Sequence, residues 1–273
     1  LLIALAAGLV IARNHVIDRL INAFDSGAGA AASIDAWIDP PGYTGLALQS
    51  LTAGEAGVIP VPAGSVLNLR VHGAPRAPGL AAGSNRAARF AGSEGEYASN
   101  TVIRHDARIE IRVGGHAIGD WRIHAVPDAP PTIVFTALPS TTQRDAVKFD
   151  FTAHDDYGVA SARVVLTPHG RHGPPLYADL PLAPGKSVSQ TSFLDLTAHP
   201  YAGLMVDAKL EAHDAIGQRG YSRTVTFRLP ARVFTDPLAR ALIEQRQNLA
   251  IADRAGWRGV AAALDALAIA PER

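Results

Sequence analysis

This 273-residue chain has no cysteine, so disulfides and thiolate metal sites are both excluded. Aromatic residues are scarce, at 6% of the chain, and only one methionine is present. Neither charge sign is in excess: 25 Lys and Arg balance 25 Asp and Glu. That balance favours neither nucleic acid nor an anionic membrane surface as a partner. His-Glu-x-x-His, P-loop, Gly-x-Ser-x-Gly and EF-hand patterns are all missing from the sequence. Glycine and proline are plentiful, with 25 and 19 copies. That mix suits many short strands joined by tight turns.

The N-terminal run from Leu1 to Ala12 carries no charge until Arg13. It is shorter than the roughly 20 apolar residues of a spanning helix. It reads as the cut end of a membrane helix or the apolar part of a signal peptide, and the missing methionine favours the first. Val16, Ile17, Leu20, Ile21 and Phe24 interleave with Arg13, His15, Asp18 and Arg19, as in an amphipathic juxtamembrane helix. Gly27 to Ala32 reads as a linker. Its loose Gly-x-Gly-x-x-Ala pattern lacks the strand before it and the βαβ unit after it that a dinucleotide site requires.

From Ser33 onward the pattern is β. Ile34, Ala36 and Ile38 alternate with polar neighbours, as do Leu67, Leu69 and Val71, then Ala107, Ile109, Ile111 and Val113. Gly114-Gly115 predicts a two-residue hairpin, because glycine tolerates positive φ at both turn positions. Trp121, Ile123 and Ala125 return on the partner strand. The stretch from Gly73 to Gly95 reads as a long loop with one short strand near Phe90. Pro127-Asp128-Ala129-Pro130-Pro131 is the clearest boundary in the chain.

Alternation resumes with Val147, Phe149, Phe151 and Ala153, then Ala162, Val164 and Leu166. Val206, Ala208, Leu210 and Ala212 alternate with Asp207, Lys209, Glu211 and His213, which predicts one buried and one wet face. Val225, Phe227 and Leu229 close the series. After them, Thr235-Asp236-Pro237 caps a helix. Its apolar stripe holds Leu238, Ala241, Leu242 and Leu249, with Glu244, Arg246 and Gln247 away from it. A second helix is expected over about 258–268, with Val260, Leu264 and Leu267 on its apolar face.

The expected fold is mostly β: two tandem immunoglobulin-like or fibronectin-like sandwiches, flanked by an N-terminal membrane or juxtamembrane helix and a C-terminal helical segment. The expected divisions are 1–24, linker 25–32, sandwich 33–126, joint 127–131, sandwich 132–229 and helical region 230–273.

Chemically the chain offers little. Two phrases, Ala153-His154-Asp155-Asp156-Tyr157-Gly158 and Ala212-His213-Asp214-Ala215-Ile216-Gly217, end strand-like runs with His-Asp and then reach a glycine. Asp155, Asp156 and Asp214 would converge at one end of the second sandwich if their strands are neighbours. Gathered carboxylates could hold calcium; the competing reading is that each bonds its own turn. His169 and His172 lie in a Pro/Gly loop that does not aim them at a common zinc. Arg86 and Arg89 beside Phe90 read as a solvated edge. Trp37 and Trp121 lie in strands and read as core. Tyr43 and Tyr201 follow prolines in loops and are the candidates for interaction. No cofactor is expected and no catalytic residue stands out.

Several phrases are distinctive by length and order: Ala36-Trp37-Ile38-Asp39-Pro40-Pro41-Gly42-Tyr43-Thr44-Gly45, the Pro127–Pro131 joint, Asp155-Asp156-Tyr157-Gly158-Val159, Asp195-Leu196-Thr197-Ala198-His199-Pro200-Tyr201, and Phe234-Thr235-Asp236-Pro237-Leu238. Together they resemble the DUF4175 family of alphaproteobacterial membrane proteins over nearly the whole chain. The resemblance implies an inner-membrane protein with N-terminal spanning helices, a large periplasmic part and a long helical C-terminal region, of which this chain looks like an internal fragment. It supplies no activity and no catalytic residue. The expected role is therefore a non-catalytic, membrane-anchored scaffold with a protein partner in the cell envelope. The alternatives are a glycan- or calcium-binding module, or the non-catalytic part of an envelope enzyme.

Overall fold

The computed structural model describes residues 32–82, 89–252 and 254–269. The expected N-terminal helix, the Gly27-x-Gly29 stretch and Arg86 lie outside them. The chain divides into two compact units between Pro127 and Asp128.

The first unit is a sandwich. One sheet runs β2 (Gln49–Leu51), β1 (Ser33–Asp39), β4 (Ser65–His72), β7 (Glu96–Ile103), β6 (Ala91–Ser93). The other runs β3 (Val58–Pro62), β9 (His116–Val126), β8 (Ala107–Val113), β5 (Gly79–Ala82). The edge strand β3 pairs in parallel with the last strand β9, while every other pairing in the unit is antiparallel. A parallel strand laid beside the final strand is the immunoglobulin way of closing a sheet edge. Ile38, Leu67, Leu69, Ile109, Ile111 and Trp121 fill the space between the sheets. Trp121 also satisfies its indole, donating Nε1–H to the Thr52 carbonyl at 2.8 Å. The Gly114-Gly115 hairpin forms as expected, with φ of 59° and 91°.

The stretch 73–95 holds the expected short strand near Phe90 as β6, but also an unexpected strand, β5, and β7 follows directly. β7 was hidden because its inward positions are Tyr97, Ser99 and Thr101, a polar-looking set whose residues are only half-buried. Trp37 lies on the outer face of β1, half-buried beneath the Arg70 guanidinium at 5.4 Å, and takes no part in the core.

The second unit turns on one long strand, β12 (Val147–Pro168). Its first half pairs with β10 (Thr132–Phe135), β11 (Ser140–Thr141) and β14 (Gly185–Leu194). Its second half pairs with β13 (Leu176–Leu180) and β15 (Met205–Asp214), and β15 carries β16 (Arg219–Tyr221) and β17 (Val225–Arg228). Register shifts flank the corner between His154 and Ser161. One strand thus joins both halves of a connected eight-stranded sheet, bending at the corner between them, in a fibronectin-like module. Val206, Ala208, Leu210 and Ala212 are fully buried against Phe149, Phe151, Val164 and Leu166. Each Val, Leu or Phe so buried contributes about 1.5–3 kcal/mol, which makes this interior the main determinant of the fold.

Helix α1 (Pro237–Ile251) begins with Asp236, whose side chain accepts from the Ala239 amide at 2.7 Å, and with proline in its first turn. Helix α2 (Arg254–Ile269) packs against it. The expected stripe on α1 is not its docking face. Gln247 donates to the Ala202 carbonyl at 2.6 Å and Arg246 reaches the Ala198 carbonyl at 3.4 Å, so polar residues face the sandwich. Leu242 and Leu249 remain 45% and 49% exposed. Among the described residues, no helix is long and apolar enough to cross a membrane.

Candidate functional site

The corner of β12 is built by a side chain. Asp155 turns one oxygen, Oδ2, onto the amides of Tyr157 at 3.0 Å and Gly158 at 2.6 Å. Asp214 does the same at the end of β15, where Oδ1 accepts from Ile216 at 3.0 Å and Gln218 at 2.7 Å. Both therefore serve as turn formers, since a short carboxylate can satisfy backbone donors that a reversing chain leaves unpaired.

The structure also gathers carboxylates. Asp128, from the proline-rich joint, lies within hydrogen-bonding reach of Asp156 and feels the charge of Asp214. Burial first, then Asp156 and Asp214, push the Asp128 carboxyl up to about 6. The Tyr157 phenol is likewise raised, by burial and then by Asp156 and Asp128. Asp128 Oδ1, Asp156 Oδ1 and Asp214 Oδ2 are buried without a hydrogen-bond partner among the described residues. Two carboxylates are both acceptors; a proton on Asp128 converts their contact into a hydrogen bond. The expected set Asp155, Asp156 and Asp214 does not form a metal cage: no group of three or more His, Cys, Asp or Glu among the described residues has the spacing to hold an ion. Asp155 is committed to the corner, and Asp128 is the member that the sequence reading missed. Its only signal was the acid inside the proline run.

A separate cleft of about 1180 Å³ opens between the second sandwich and the helical pair. Its walls include Leu176 and Tyr201 from the sandwich, and Leu249, Ile251, Trp257 and Val260 from the helices. Arg171, His172, Gln245, Arg246 and Asn248 supply its polar groups. Tyr201 is an interaction candidate that the structure relocates: it is 1% exposed, and its hydroxyl donates to the Pro174 carbonyl at 2.6 Å. It forms the floor of the cleft and belongs to the core. Tyr43 sits half-buried in a single 3-10 turn, Gly42–Thr44, in the first unit. His169 and His172 part company: His169 pairs with Asp207 at 2.8 Å, while His172 faces the cleft. Phe90, beside Arg89, packs against the first core.

The profile of a domain of unknown function, DUF4175, matches residues 1–273. The chain belongs to the DUF4175 family. No curated protein matches it. Solved structures similar to this DUF4175 chain include domains A168–A170 of titin, at 11% identity and a TM-score of 0.32, covering 72% of this chain and 67% of that one. They also include the fibronectin(III)-like modules of Clostridium thermocellum CbhA, at 12% identity and a TM-score of 0.26, covering 72% and 94%. At such scores neither likeness carries a functional argument. The strand order itself makes this DUF4175 chain a pair of immunoglobulin- and fibronectin-like modules.

Proposed function

We propose that this chain is a non-catalytic scaffold of the cell envelope, anchored in the inner membrane through its N-terminal segment, with both β modules in the periplasm. Its partner is another envelope protein. One observation carries the reading. The helical pair on the second module leaves Leu242, Leu249, Trp257 and Leu264 between 38% and 52% exposed, a spacing of seven residues on each helix. Apolar positions seven apart share one helix face and suit a third helix laid along them. The second module behind it is a packed sandwich on which such a face can be held.

The test is photo-cross-linking in cells from Leu242 and Leu264 of the full-length protein. A recurrent adduct with one envelope protein supports the scaffold. Saturating cross-linking that yields only lipid and self adducts removes it. A topology reporter fused after Leu229 tests the location; a cytoplasmic readout overturns the periplasmic placement.

A further inference from the structure

The cleft of the second unit has a charge pattern that its apolar walls do not explain. Arg246 projects from α1 at its edge, and its Nε is buried without a partner. Its Nη1 donates to the Ala198 carbonyl at 3.4 Å, and among the described residues no carboxylate pairs with it. Burial first and then Arg246 lower the proton affinity of half-buried His199. Arg171, on the opposite loop, is exposed and likewise enters no ion pair among the described residues. His172 adds a ring nitrogen on the same rim, and no described carboxylate lines the cleft. A guanidinium held against apolar surface without a counter-charge is costly, and a bidentate oxyanion is its best partner.

The geometry points to a binding site for a single acyl-chain amphiphile with an anionic head, a carboxylate or a phosphate. The chain lies along Leu176, Leu249, Ile251 and Trp257, and the head sits between Arg171 and Arg246. Size favours an extended ligand: the cleft exceeds the about 300–1,000 Å³ of ordinary small-molecule pockets. Tyr201 gives the cleft a fixed floor, since its hydroxyl is tied to the Pro174 carbonyl. Gly173 keeps that floor close, because a Cβ there would stand 2.6 Å from the same hydroxyl oxygen. This site shares Leu249 and Trp257 with the helical face of the scaffold reading, but its test reads Arg171 and Arg246, whereas the cross-linking test starts from Leu242 and Leu264, which do not line the cleft.

Calorimetric titration of the whole chain with dodecyl phosphate, below its micelle concentration, tests the assignment. One-to-one binding is expected. Dodecyltrimethylammonium should bind at least 10-fold more weakly, and octyl phosphate roughly 100-fold more weakly for its four lost methylenes. Arg246→Gln and Arg171→Gln should each weaken dodecyl phosphate by about 10-fold or more; Arg171 is exposed on a loop, so its variant reads the charge without loss of folding. Equal binding of the cationic amphiphile, unchanged affinity in both variants, or no binding at all overturns the site. So does binding confined to phosphatidylglycerol vesicles with no response to the monomer. An acidic amphipathic peptide that binds more tightly than dodecyl phosphate and is lost in the same variants would replace the amphiphile by a protein helix.

Discussion

Arg163 and Glu211 sit directly opposite each other on β12 and β15, joined by two parallel bonds of 2.9 and 3.0 Å. The Glu211 side chain is 3% exposed, although its position in the alternation belongs to the wet face. Arg163 covers it and stacks on the Tyr177 ring at 4.4 Å, and His213 adds a third contact at 2.9 Å. Burial alone would raise the Glu211 carboxyl, but the bonds to Arg163 and His213 outweigh it and hold the carboxyl below its usual range.

Removing one partner leaves a buried charge uncompensated. Arg163→Met should destabilise the second unit by about 3 kcal/mol, and Arg163→Met with Glu211→Gln should recover part of that loss. Hydrogen exchange of the β12 and β15 amides reads both. Equal protection in the single and double variants would show that the pair is not coupled.

The acid end of this unit has the opposite pH sign. The folded Asp128 carboxyl is raised to about 6 from 3.8, so folding favours its protonated form. Its contribution is fully present below about pH 4 and is lost as the pH rises through about 6. Asp128→Asn keeps the shape without the charge. It should raise the melting temperature at pH 7.5 and flatten the profile between pH 4 and 6, measured by calorimetry. A profile unchanged from the parent would contradict the clash of Asp128 with Asp156.

The β12 corner depends on Asp155 as an acceptor. Asp155→Ala removes two charge-assisted bonds and should cost about 1–3 kcal/mol, with Asp155→Asn costing less because it keeps one oxygen in place. Urea unfolding of the two variants orders them. Equal losses would mean that the charge, and not the acceptor geometry, holds the corner.

Two glycines at the same end separate space from turn geometry. A Cβ on Gly220 would fall 1.6 Å from the Pro131 carbonyl oxygen, a backbone atom that cannot yield. Gly217 adopts φ of 88° but has open space around it. Gly220→Ala should therefore disrupt the pairing of β16 and lower the yield of folded protein, while Gly217→Ala should cost only about 1 kcal/mol. Thermal melts of the two variants compare them directly.

Much of this fold is legible in the chain. Val206, Ala208, Leu210 and Ala212 are inside because a pleated strand alternates its side chains, and no partner is needed to know which face is apolar. The Gly114-Gly115 turn and the Asp236-Pro237 helix start follow equally from local chemistry. β7 was not legible, because its inward, half-buried positions Tyr97, Ser99 and Thr101 carry little apolar signal. The helix face was misread for a related reason: Gln247 and Arg246 dock on the Ala202 and Ala198 carbonyls, and the apolar contact with the core comes from Ala250 and Ile251 outside the expected stripe. The candidate sites were the least legible. Asp128 reaches Asp156 across a gap of 28 positions, and Arg246 meets the Tyr201 floor across 45.

The sequence by itself determined what is periodic: which strand faces are greasy, where the chain must turn, and that the proline joint separates two β modules. Only the tertiary structure decided what depends on neighbours brought from afar: that Glu211 is buried under Arg163, that Asp128 is crowded by like charges, and that Arg246 lies unpaired beside an apolar cleft. Solvation and charge are set by the surroundings in space, and a local pattern of side chains does not specify those surroundings.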